Sequence, residues 1–85
     1  MNEPAIILYT RIGCRLCDEA HQVLAKFGLV PELVGIDTNP TLLERYNDCV
    51  PVVFIDGKER FRGRVDERLL RRLLSRRQQP PRGTL

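Results

Sequence analysis

The run Val52-Val53-Phe54-Ile55-Asp56-Gly57 leaves this chain few choices. Four consecutive apolar residues, mostly β-branched, make a strand, and Asp-Gly is a favoured pair for a tight type I′ turn, whose two central residues need positive φ. Lys58 to Phe61 must then return antiparallel to that strand. With 85 residues there is room for a single domain, so everything else has to be arranged around this hairpin.

The rest of the chain alternates in character. Ala5-Ile6-Ile7-Leu8-Tyr9 is a continuous apolar run that suits a central strand buried on both faces. Leu16, Ala20, Val23, Leu24 and Phe27 follow helical spacing, with Gly28 as a stop, which predicts a helix over about 15–27. Leu33, Val34 and Ile36 make a second strand. Asn39 is placed to cap a helix over roughly 40–47, with Pro40 at its first position. After the hairpin, Asp66 can cap a last helix in which Leu69, Leu70, Leu73 and Leu74 form the apolar stripe, fraying after Arg77. Residues 78–85 contain Pro80 and Pro81, which cannot continue a helix, and read as a disordered basic tail. The predicted order is β-α-β-α-β-β-α: an α/β domain over residues 1–77 with a four-stranded mixed sheet flanked by helices.

Several function classes fall away. The longest apolar runs are far shorter than the ~18 residues of a membrane span. Met1-Asn2-Glu3-Pro4 lacks the basic start and apolar core of a secretory signal, so a cytoplasmic protein is expected. The net charge of +3 conceals an uneven distribution, −4 over residues 1–57 and +7 over residues 58–85. That basic end carries a single aromatic residue, Phe61, so it reads as a solvated helix face running into the tail, and nucleic acid is not an expected partner.

Three cysteines are too few and too odd in number for the framework of a small secreted domain. Cys14-Arg15-Leu16-Cys17 places a C-x-x-C where the first strand feeds the first helix. The unpaired amides of a helix start favour an anion, and Arg11 and Arg15 act in the same direction, so Cys14 is the candidate attacking thiolate. Cys17, one turn on along the same face, can resolve a mixed disulfide by attacking Cys14. Cys49 is left over, either a partly buried spectator or an extra thiol near that pair. Cys14, Cys17, His21 and Cys49 include the ligand types of a tetrahedral zinc site. A zinc site, or a binding module without turnover, is therefore the alternative. The spacing lacks the paired knuckles of a closed zinc site, so no metal is expected.

The segment Leu8 to Ala20, LYTRIGCRLCDEA, resembles the active-site segment of small glutaredoxin-like proteins of the thioredoxin superfamily, and Val50-Pro51-Val52-Val53-Phe54-Ile55-Asp56-Gly57 resembles that superfamily's V-P-x-x-x-I-D-G strand. The likeness extends over residues 5–77 in element order. It implies a thioredoxin fold, a cis Pro51 facing Cys14 and Cys17, and a Val50 backbone that pairs with an extended substrate or with glutathione. Arg11 stands where these proteins often carry a lysine that attracts glutathione. Gly63 and Asp66 retain the G-x-x-D of the loop that receives its γ-glutamyl end. Arg62 replaces that loop's first glycine, and Arg15-Leu16 differs from both the Pro-Tyr of glutaredoxins and the Gly-Pro of thioredoxins. The implied activity is thiol–disulfide exchange by a monomer on a protein disulfide or a glutathione-type thiol, with Cys14 and Cys17 catalytic and Arg11, Arg15, Val50, Pro51, Gly63 and Asp66 on the substrate side. No bound cofactor is expected, glutathione entering only as a co-substrate.

Overall fold

The structure, a computed structural model, describes residues 4–78. Seven elements follow in order: β1 (Ile6–Thr10), α1 (Arg15–Lys26), β2 (Glu32–Gly35), α2 (Pro40–Tyr46), β3 (Val52–Ile55), β4 (Lys58–Arg62) and α3 (Glu67–Gln78). The strands form one sheet in the order β2-β1-β3-β4. β1 runs parallel to β2 through the α1 crossover, while β1–β3 and β3–β4 are antiparallel. This is the mixed α/β architecture that the residue patterns predict. The disordered tail expected over residues 78–85 lies outside the described residues, apart from Gln78, which ends α3.

Local chemistry sets the element ends. Asp56 and Gly57 have φ of 51° and 84°, the two positive values of a type I′ turn between Ile55 and Lys58. Asn39 Oδ1 accepts the amides of Thr41 and Leu42, each at 3.1 Å, and Asp66 Oδ1 accepts those of Arg68 at 2.9 Å and Leu69 at 3.2 Å. Each satisfies helix-start donors that would otherwise lack partners.

Two unequal cores pack on the sheet. On one face Ile6, Leu8, Val53, Ile55 and Phe61 meet Ala20 and Leu24 of α1 and Leu70 of α3. On the other, Val52 packs with Ile36 and Tyr46, and Tyr9 stacks on Tyr46 with ring centroids 5.1 Å apart. The seven-residue α2 covers less than α1 and α3 do, so β1 is not buried on both faces as expected: Ile6 and Leu8 are buried, while Ile7 and Tyr9 are only partly covered. Leu16 also departs from expectation. It is 40 % exposed, and Cys17 takes the core-facing position on α1 with Ala20 and Leu24.

The β3–β4 ladder contains a register shift. Val53 lies beside Phe61 and Phe54 beside Glu59, so Arg60 is an extra residue on the edge strand.

Candidate functional site

The site lies at the sheet end where β1 finishes and β3 begins, since Tyr9 pairs with Val52. Cys14 is the N-cap of α1, with extended backbone (φ −87°, ψ 107°). Its Sγ accepts the Cys17 amide at 3.1 Å, the capping contact usually made by an oxygen. Cys14 and Cys17 are joined by a disulfide, with Cα atoms 5.2 Å apart. Their environments differ: Cys14 is partly exposed and Cys17 is buried. Cys14 is therefore the more accessible residue of the pair.

The loop before Cys14 is anchored from across the molecule. Asp37, just past β2, accepts the Ile12 amide through Oδ2 at 3.0 Å and Arg11 Nε through Oδ1 at 2.8 Å. Arg11 Nη1 also donates to Asn47 Oδ1 at 2.6 Å, at the end of α2. The Ile12 amide first, and then Arg11, hold the Asp37 carboxyl below its ordinary range. The guanidinium of Arg11, a residue of the predicted site, is thus held by Asp37 and Asn47. Asp37 and Asn47 were missed as site residues, because Asp37 reads in sequence as part of the turn leading to Asn39 and Pro40. Arg15 begins α1 and is exposed.

Val50 and Pro51 precede β3, joined by a cis peptide bond. The Pro51 carbonyl accepts the Gly63 amide at 2.7 Å, and Gly63 has a φ of 85°. Of the residues expected to receive glutathione, Asp66 is engaged in capping α3. Arg62 forms a two-pronged ion pair with Glu59, at 3.0 and 3.1 Å, and donates from Nη1 to Cys49 Sγ at 3.3 Å. That arrangement holds the Glu59 carboxyl below its usual range and raises the Arg62 guanidinium above its own. Cys49 carries a free thiol, partly buried against Ile36, Tyr46 and Val52. His21 is exposed on α1, and among the described residues no three His, Cys, Asp or Glu side chains converge as a metal-ligand group. The four-residue zinc set is thus not assembled.

Beside the disulfide, Leu16, Ala20 and Val23 of α1 and Gly63, Arg64 and Val65 line a groove of about 200 Å³. Ile12, 93 % exposed, presents an apolar side chain on the loop before Cys14. Among the described residues no helix is long and apolar enough to cross a membrane.

Comparison with known proteins agrees with this geometry. The chain is 34 % identical over 85 residues to an uncharacterized protein of Mycobacterium bovis and, equally, to one of Mycobacterium tuberculosis, with 89 % of this chain and 88 % of each relative covered. Two solved structures of a structural genomics target protein from X. campestris are also similar, both at 34 % identity over 85 % of this chain. The solution structure has a TM-score of 0.72 with 94 % of that protein covered, and the X-ray structure 0.73 with 97 % covered. The glutaredoxin-like domain (DUF836) model matches residues 5–75. Cys14 and Cys17, the cis Pro51 and the mixed sheet thus sit within a single family match, and the chain belongs to the glutaredoxin-like domain family.

Proposed function

We infer that the protein is a thiol–disulfide oxidoreductase that cycles Cys14 and Cys17 between dithiol and disulfide. The observation that carries this reading is the placement of Cys14 as N-cap of α1, its sulfur accepting the Cys17 amide and bonded to the buried Cys17. The same amide and the helix start favour Cys14 as thiolate once the pair is reduced.

In the proposed cycle the Cys14 thiolate attacks one sulfur of a substrate disulfide. A bond forms between Cys14 and that sulfur, and the other substrate sulfur leaves as a thiolate and takes a proton. Cys17 then loses its proton and attacks Cys14, closing the intramolecular disulfide and releasing the second substrate thiol. Two electrons and two protons pass to the substrate, and a small thiol such as glutathione, or a dithiol reductase, restores the pair. In this reading Val50 and Pro51, which precede β3 at the sheet end where β1 finishes, align an extended substrate. Gly63 fixes the Pro51 carbonyl, Asp66 holds the start of α3, and Arg11 and Arg15 add positive potential, that of Arg11 shared with Asp37. Such cycling suits a reducing compartment, the cytoplasm.

The test is to trap the first half-reaction. Reduced Cys17→Ser, mixed with glutathione disulfide or a disulfide-bonded protein, should carry one adduct on Cys14 by mass spectrometry, whereas the unmodified protein should close its own disulfide. Absence of an adduct on Cys14 with both substrates overturns the reading.

A further inference from the structure

The uneven charge along the chain becomes a defined surface at the other end of the sheet. Lys58 pairs with Ile55 and Phe61 with Val53, and Ile55 and Val53 both belong to the core under α1 and α3. The register shift turns the extra residue, Arg60, to that same side. Lys58 and Arg60 therefore line one groove of about 170 Å³ together with Ile55, Asp56 and Leu73. Leu69, one turn before Leu73 on α3, is 39 % exposed, and Arg72 beside them is exposed. The opposite flank of α3 is already occupied: Glu67 pairs with Lys26 at 3.1 Å, and the Arg71 guanidinium lies 5.7 Å from the Phe27 ring centroid. Asp56, at the groove's end, accepts the Ala5 amide at 3.0 Å.

We propose that this groove is a docking site for an acidic polypeptide segment carrying an aliphatic side chain. The aliphatic group fills the floor between Ile55 and Leu73, and carboxylates on either side of it meet Lys58, Arg60 and Arg72. Charge complementarity selects an acidic partner, and the floor selects a polypeptide. A phosphate backbone has nothing to set against aliphatic carbon, and the groove offers no aromatic ring for a base to stack on. The segment lies in the groove without extending the sheet, because a bulged, cationic edge strand resists pairing. Ile55 pairs with Ile6 at the start of β1, whereas Cys14 follows its far end. A docked segment thus leaves the cysteine pair open, and the proposal does not depend on the redox reading.

The probe is a fluorescein-labelled acidic hexapeptide with one central leucine, followed by anisotropy with the full chain at low ionic strength. Lys58→Glu and Arg60→Glu should each weaken binding about fivefold, the scale of one lost charge contact. Arg45→Glu, an equal change in net charge on α2, should leave it within about twofold. Serine in place of the leucine should also weaken binding about fivefold. Amide shifts in a nitrogen-15 correlation spectrum should move around residues 55–60 and 69–73 and stay in place at 14–17. No binding, equal loss with Arg45→Glu, indifference to the leucine, tighter binding of a duplex RNA, or shifts centred elsewhere would each overturn the proposal.

Discussion

Gly63→Ala is the most informative single substitution in this fold. Gly63 has a φ of 85° and donates its amide to the Pro51 carbonyl at 2.7 Å, and an added Cβ meets no heavy atom within 4 Å. Sterics with the surroundings are therefore removed from the argument, leaving only the backbone preference of an L residue. Holding alanine in the left-handed region costs about 1–2 kcal/mol. For a domain of this length that corresponds to a fall in Tm of roughly 4–16 °C. Gly35→Ala is the matched control: it too has open space, but its φ lies outside the positive range. There alanine should be neutral or should stabilise by about 0.4–1 kcal/mol, by restricting the unfolded chain. The two variants, compared by urea and thermal unfolding followed by circular dichroism, should differ by about 2 kcal/mol. Equal stabilities would refute the claim that the backbone of Gly63, and not its lack of a side chain, is what the loop needs. Gly63→Asn should recover part of the loss, since asparagine tolerates this region better than alanine.

Other substitutions probe other parts of the structure. Leu24 is fully buried and Leu16 is 40 % exposed, so Leu24→Ala should lower unfolding free energy by about 2–5 kcal/mol and Leu16→Ala by less than about 1 kcal/mol in denaturant titrations. Asn39→Ala removes the acceptor for two α2 amides and should destabilise by ~1 kcal/mol in the same assay. The Asp37 carboxyl is held below its ordinary value because the Ile12 amide and Arg11 favour the charged form. Its contribution is therefore present above that value and lost as pH falls through the lower folded-state one. Asp37→Asn should flatten this part of the acid unfolding curve while leaving the shape between pH 6 and 8, a range far from any carboxylate value, unchanged.

What could be read from the sequence was what depends on neighbours along the chain. The Asp56-Gly57 turn, the Asn39 and Asp66 caps and the helix-start cysteines all rest on contacts within a few residues, and each stands where expected. Arg11 and Asp37 are 26 residues apart, and nothing local distinguishes Asp37 from any other polar residue in a turn. Leu16 shows the limit of periodicity. Positions 16 and 17 both fit a stripe through Ala20 and Leu24, and the rotation of α1 against the sheet decides that Cys17 turns inward. The Arg60 bulge was equally hidden, because an alternation broken by one residue on a charged edge strand leaves no apolar mark.

The thin cover on the α2 side has a consequence for which part of the molecule opens first. Seven residues, with Tyr46 alone buried, give α2 little to lose on detaching, so its amides should exchange with deuterium well before those of α1 or β3. Cys49, packed on that same side against Tyr46, would be uncovered in the same excursion. Partly exposed already, its thiol should then alkylate faster as α2 opens, ahead of global unfolding.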